Sequence, residues 1–334
     1  MAKKVTIYDI AAAAKVSPST VSRALRQPDR VSTDTSAKIF QIADTLGYSR
    51  EGAAYADEAR LTKTLAIVIA DLGNPMYAQV LEGFQRTATQ NGYTTLIINS
   101  EESGALEQKM VRRIVAGVDG VALASSRLDA GSIKTIEKIT PLVLLNRFLK
   151  GHTCILPDTV RGMEKLCAYL NDLGHSRVLY LAGPERSWAN AIRWRALQKT
   201  AAHYKIAVNR TPYAQPSIIS GATGVDNWEA HRASAVLAYN DLMAAGFSKE
   251  AQRRKIKIPD DVSLIGIDNS SICALTSPEL SSLSSASEEI GQQGAESLMW
   301  QATHRSQRER RTITVPIEFI PRASTGRAHQ SNNA

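Results

Sequence analysis

Two groups of residues in this sequence have the types and spacing to do chemistry. The first is the stretch SPSTVSRALR, Ser17 to Arg26. Read as a helix, it turns Val21, Ala24 and Leu25 one way and Ser19, Ser22, Arg23 and Arg26 the other. Short hydroxyl side chains at a helix N-terminus can hold phosphate oxygens. An arginine one turn further on can reach guanine O6 and N7 bidentately in a major groove. A merely solvated helix face would carry the same residues.

The second group sits just after short apolar runs: Asp71 to Tyr77, Ser125-Ser126-Arg127, Asn146-Arg147, Asn240-Asp241 and Asp268-Asn269. The segment GPERSWANAIRWR adds Ser187, Asn190 and Arg193. Together they offer paired donors and acceptors to a hydroxylated or anionic small molecule, although polar loop ends occur on any α/β protein.

Three short helices must position the first group. Thr6 and Asp9 have capping-box spacing ahead of Ile10, Ala11 and Ala14. Ser17 can cap a second helix with Pro18 at its first position, where the missing N–H costs nothing. Ser32 or Thr33 caps a third, with Asp34 in its first turn, Ile39, Ile42, Ala43 and Leu46 on its buried face, and Gly47 as its stop. From Leu65 the pattern changes to TLAIVIA, YTTLIIN, DGVALAS, PLVLLN, RVLYLAG, SAVLAYN and VSLIGID, most of them followed by an amphipathic stretch. Continuous apolar strands between helices predict parallel sheets covered on both faces, either one large sheet or two smaller ones. Ligands in such folds sit beyond the carboxyl ends of the strands, where the second group lies.

A chain of 334 residues is long enough for two or three domains. Its net charge of +8 is uneven. Residues 1–50 hold eight Lys/Arg against four Asp/Glu, residues 301–334 hold six against two, and the stretch between them is neutral. A basic end suits a polyanionic partner, and it also serves solubility. Cys154, Cys167 and Cys273 form no C-x-x-C pair, which fits a reducing cytosol. No apolar segment resembles a signal peptide or a membrane span, so a cytoplasmic protein is expected. Phosphate-loop, H-E-x-x-H and G-x-S-x-G motifs are absent, the six histidines show no metal spacing, and His175 in G-H-S-R reads as structural. The sequence therefore gives no catalytic residue, metal or cofactor.

The run V-T-I-Y-D-I-A-x-x-A-x-V-S-x-x-T-V-S-R-A-L, Val5 to Leu25, continues with V-S-x-x-T (Val31 to Thr35) and L-G-Y (Leu46 to Tyr48). It resembles the DNA-binding headpiece of the LacI family of bacterial repressors. By that resemblance Pro18, Ser19 and Arg23 face base edges, while Thr6, Tyr8, Ser17, Thr20, Ser22 and Thr35 hold the DNA backbone. Val16, Val21, Leu25, Ile39, Ile42 and Leu46 are then core.

D-x-x-N-P-x-Y, D-G-V-x-L, V-L-L-N-R, G-H-S-R, A-V-x-A-Y-N-D-x-M-A-A-G and V-S-x-I-G-I-D resemble the effector-binding body of the same family, in the same order. The resemblance implies a small helical headpiece (residues 1–48), a hinge (49–61) and a body (62–334) like periplasmic sugar-binding proteins. That body has two Rossmann-like subdomains, about 62–158 plus 287–318 and about 159–286 plus 319–334. Effector-site candidates are Tyr77, Ser125, Asn146, Arg147, Ser187, Trp188, Asn190, Arg193, Asn240 and Asp268. Pro216 stands where an aromatic often stacks on the ligand, which leaves stacking to Trp188 or Tyr77. Arg127, Arg147 and Arg186 raise the option of a phosphorylated or acidic effector. The implied protein is a homodimeric repressor of a carbohydrate or nucleoside operon that reads a pseudo-palindromic operator under effector control. Helix 75–90 (Pro75, Val80, Phe84, Thr87) is then expected near the dimer interface. The alternative is a sugar-binding receptor without a DNA role.

The hinge departs from the family. Arg50 replaces the usual Pro, Gly52 follows, and Asp57 beside Glu58 holds the position of the leucine that wedges into the minor groove. Ala54 and Tyr55 remain as candidate contacts.

Overall fold

The computed structural model describes residues 5–26, 30–46, 61–304 and 310–328. The chain divides into two units, Met1–Leu61 and Thr62–Ala334.

In the first unit, α1 (Ile7–Ala14), α2 (Pro18–Arg26) and α3 (Thr33–Thr45) enclose Ile10, Ala14, Val21, Ala24 and Ile39. The Asp9 carboxylate reaches back to accept from the Thr6 N–H at 2.7 Å, as the capping spacing predicts. Lys15 then leaves α1 in the left-handed conformation (φ 56°). The Ser17 hydroxyl accepts from Thr20 N–H at 3.1 Å and starts α2. Ser32 directly precedes α3, and its carbonyl accepts from Ser36 N–H at 2.9 Å. Leu46, expected in the core, lies beyond the last helical turn and is 38% exposed.

The second unit holds two sheets of six strands each. The first contains β1 (Thr64–Ile69), β2 (Thr94–Asn99), β3 (Gly120–Ala124), β4 (Leu142–Leu145), β5 (Thr153–Pro157) and β11 (Thr312–Val315). Its order is β11-β5-β4-β3-β1-β2, all parallel. Side-chain alternation explains its unbroken apolar runs. Leu65, Ile67 and Ile69 face the cluster under α4 (Pro75–Gln90) and α12 (Ser287–Thr303). Ala66 and Val68 face the cluster under α5 (Gly104–Ile114) and α6 (Ala130–Glu137).

The second sheet contains β6 (Arg177–Leu181), β7 (Ala207–Arg210), β8 (Ala235–Ala238), β9 (Ser263–Asp268), β10 (Ser281–Ser284) and β12 (Phe319–Ile320). Its order is β12-β10-β9-β8-β6-β7, parallel except for β12. Around it lie α7 (Thr159–Asp172), α8 (Trp188–His203), α9 (Ile218–His231), α10 (Asp241–Arg253) and the short α11 (Ile272–Leu275). All seven predicted runs are strands, and they divide between two sheets.

Both subdomains bring one helix pair into backbone contact through glycine. A Cβ on Gly83 of α4 would strike the Glu288 carbonyl, and one on Gly291 of α12 would strike the Val80 carbonyl. In the second subdomain Gly221 of α9 meets the Met243 carbonyl in the same way, and Gly246 of α10 meets that of Ile218. Val80, Phe84 and Thr87, quoted for a dimer contact, are therefore buried against their own subdomain.

Candidate functional site

On α2, Ser17, Ser19 and Arg23 are exposed, Pro18, Thr20 and Ser22 are half-buried, and Val21 and Ala24 are buried. The Ser17 hydroxyl hydrogen-bonds with those of Ser19 (2.7 Å) and Thr20 (2.8 Å), gathering three hydroxyls at the helix start. Tyr8 is 68% exposed, Thr6 is exposed and Thr35 is half-buried. The arrangement presents one polar helix face with Arg23 one turn from its N-terminus, a shape a major groove accepts. Tyr55, Arg50, Gly52, Asp57 and the rest of the hinge up to residue 60 lie outside the described residues, as does the Arg26 side chain.

In the second unit, strained backbone marks the strand ends. Ser125 (φ 54°) after β3, Asn146 (φ 53°) after β4, and Asp268 (φ 112°) with Asn269 (φ 50°) at the end of β9 are all left-handed without being glycine. On the first wall, Asn146 Nδ2 donates to Ser125 Oγ at 3.0 Å. Burial pushes the Tyr77 phenol above its usual range, with Tyr239, Glu102 and Arg127 acting on it electrostatically. Arg127 Nε donates to Glu102 at 2.8 Å and Nη1 to the Ser125 carbonyl at 2.5 Å. Arg147 Nη1 donates to the Ser126 carbonyl at 2.6 Å, and burial lowers its pKa.

On the second wall, Arg193 is buried on α8. It donates to the Tyr239 carbonyl at 2.6 Å and to Asp268 Oδ1 at 3.1 Å. Burial opposes its charge, but Asp268 and Tyr239 outweigh that cost and its pKa rises. Burial raises the Asp268 carboxyl to about 7, against the pull of Arg193. Ser187 caps α8 and hydrogen-bonds with the Tyr239 hydroxyl at 3.1 Å. Asn190 Oδ1 accepts from Tyr180 (3.0 Å) and Gly183 N–H (2.9 Å). Asn240 caps α10 through Oδ1, which accepts from Met243 N–H at 3.0 Å, while its buried Nδ2 has no hydrogen-bond partner. An unmet buried donor costs about 1–3 kcal/mol, and a ligand oxygen would remove that cost.

The walls touch. Gln79 Nε2 of α4 donates to the Asn269 carbonyl at 3.3 Å, and Trp188 packs on the first subdomain's apolar cluster. Beside them lies a cavity of about 760 Å³ between the subdomains, lined by Glu102, Gln108, Arg127, Arg186, Tyr213 and Gln215 among others. None of the ten expected effector residues lines it. All but Arg147 and Trp188 are buried, forming a floor at the strand ends in which Ser125 pairs with Asn146 and Arg193 with Asp268. Glu102, Tyr239, Tyr213 and Gln215 are additions that sequence reading missed. Tyr239 reads as the last apolar residue of a strand, and Glu102 as loop polarity.

Pro216 is buried, and of the expected aromatics Tyr77 is buried and Trp188 half-buried. Among the described residues no His/Cys/Asp/Glu group is placed to hold a metal, and no helix is long and apolar enough to cross a membrane.

Comparison with known proteins decides between these readings. The pattern "Bacterial regulatory proteins, lacI family" matches residues 6–51, and "Periplasmic binding protein-like domain" matches residues 167–325. The chain carries a LacI-family helix-turn-helix region and a periplasmic-binding-protein-like domain. It is 25% identical over 332 residues to the HTH-type transcriptional regulator DegA of Bacillus subtilis, covering 96% of this chain and 98% of DegA. It is 28% identical over 298 residues to the HTH-type transcriptional repressor CytR of Escherichia coli, covering 86% and 87%. A LacI-family regulator from Enterococcus faecium, solved with bound ribose, superposes with a TM-score of 0.70 at 25% identity over 79% of this chain and 99% of that one. The LacI-family headpiece makes this chain a DNA-binding transcriptional regulator, and its relatives are regulators rather than enzymes.

Proposed function

We propose that this LacI-family chain is a cytoplasmic, nucleoid-associated repressor that binds a pseudo-palindromic operator as a homodimer. A neutral sugar, sugar derivative or nucleoside held between the subdomains controls its operator affinity. The observation that carries the effector half is the buried floor at the strand ends. Arg193–Asp268, the free Asn240 amide and the Ser125–Asn146 pair present donors and acceptors within strained backbone. Neutrality follows from charge accounting. Arg127 is engaged by Glu102, Arg193 by Asp268, and the Glu107 carboxylate acts on Arg147, so of these four arginines the exposed Arg186 alone pairs with no acid among the described residues. That argues against the acidic effector considered from sequence.

Gln79, Asp268 and Asn269 line a second cavity of about 560 Å³, and a ligand that prefers one arrangement of the two walls would shift the equilibrium between arrangements. Exposed apolar residues support dimerisation: Leu96 and Ile97 on edge strand β2, and Ile219 and Leu275 on the second subdomain. On the headpiece, Ser19 and Arg23 of α2 read base edges and the neighbouring hydroxyls hold phosphates. Mapping genomic binding sites yields the operator, on which Arg23→Ala is expected to cost about 1–3 kcal/mol and relax base preference. Unchanged preference refutes the base-reading role.

A further inference from the structure

All strands of the first sheet are parallel, so their N-terminal ends share one edge, opposite the effector floor. The covering helices run the other way and end at that edge. Arg112 and Arg113 close α5, and Lys134 and Lys138 stand at the end of α6. Lys150 precedes β5 nearby, and Lys134, Lys138, Lys150, His152 and Arg310 line a cavity of about 320 Å³. The acid there, Glu137, is engaged within the protein, 3.2 Å from Arg310 Nη2 and 3.3 Å from His152 Nδ1. Arg112, Arg113, Lys134, Lys138 and Lys150 are exposed and pair with no acid among the described residues.

Complementing helix dipoles would explain basic residues at helix C-termini, but it predicts the same at both subdomains. In the second subdomain, acids hold the arginines that close α10. Arg253 pairs with Glu250, and Arg254 with Glu250, Asp226 and Glu229, at 2.6–2.8 Å. The unneutralised edge is also where the chain arrives from the headpiece. The Asp119 carboxylate, just before β3, accepts from Thr62 N–H and Lys63 N–H, each at 2.8 Å. Fifteen residues lie between Leu46 and Thr62, a tether of at most roughly 55 Å.

We propose that this basic edge is a second, sequence-independent contact surface for the phosphate backbone of DNA flanking the operator. Repulsion among the unpaired cations is tolerated because phosphates neutralise them and release condensed counterions. The surface adds affinity and salt dependence while α2 supplies the reading of bases.

The test is fluorescence anisotropy of the full chain on a random-sequence duplex of about 40 base pairs across a salt series. Lys134→Gln/Lys138→Gln/Lys150→Gln is expected to reduce the log affinity–log salt slope by about two to three, and to weaken binding tenfold or more at about 0.1 M salt. The same charge removed from exposed lysines of the second subdomain, Lys199→Gln/Lys205→Gln/Lys249→Gln, should leave the slope unchanged. An unchanged slope in the first triple variant, or an equal fall in both, overturns the proposal. So does inorganic phosphate raising the Tm of the wild type but not of the first triple variant while the slopes coincide, which marks a small-anion pocket. Failure of the wild type to bind duplex at all removes the DNA-binding assignment on which this surface rests.

Discussion

The two subdomains are built alike and finished differently. Each packs a parallel sheet between helices, and each locks one helix pair through facing glycines, Gly83 with Gly291 and Gly221 with Gly246. Their cleft walls diverge. The first ends in Arg127–Glu102, which borders the open cavity. The second ends in Arg193–Asp268, which is closed off from solvent. Their far edges diverge too: the bases that close α5 and α6 are unpaired among the described residues, whereas the arginines that close α10 are held by Glu250, Asp226 and Glu229. Shared architecture is therefore a scaffold, and function lies in what is attached to its two ends.

The largest effect should separate the cleft walls. Arg193→Ala leaves Asp268 buried without its partner and is expected to cost about 3–5 kcal/mol in urea unfolding. Arg127→Ala should cost clearly less, because Glu102 (15% side-chain exposure) can regain water. Equal losses would erase the distinction between an open and a closed wall.

Next come the shared glycines. Gly83→Ala and Gly246→Ala each drive a methyl into a carbonyl oxygen, and both should lower stability by about 1–3 kcal/mol by calorimetry. A penalty in one subdomain alone would break the equivalence. The smallest effect is pH-dependent. Asp268 binds its proton more tightly when folded (about 7) than at its ordinary 3.8. Its protonation therefore stabilises the fold fully below the ordinary value, and that contribution is lost as pH rises towards 7. Wild type should thus gain stability relative to Asp268→Asn between about pH 8 and about pH 5. A flat difference would mean that Arg193 keeps the carboxylate ionised throughout.

These contrasts also show what the sequence made legible. Unbroken apolar runs between amphipathic stretches exposed seven strands, since a strand buried on both faces must be apolar throughout. Two of the missed strands, β10 and β7, break that rule for physical reasons. β10, Ser-Ser-Leu-Ser, buries Ser281 and Ser282 completely because their hydroxyls bond Thr325 and Asp241. β7 is a largely exposed edge strand with little apolar content. Arg193 and Asp268 were readable from position. That they pair with each other, that Arg127 already has Glu102, and that the expected residues form a floor beside the cavity depend on contacts between segments far apart in the chain.

The central claim is that a neutral ligand at the Arg193–Asp268 floor controls DNA binding. It is tested most directly by operator anisotropy on the wild type and Asp268→Asn while titrating neutral sugars, nucleosides, sugar phosphates and uronates. A neutral sugar or nucleoside should shift wild-type operator affinity by about 5-fold to 150-fold, and the shift should be lost in Asp268→Asn. A response confined to the anionic ligands, or one undiminished in Asp268→Asn, would contradict the account.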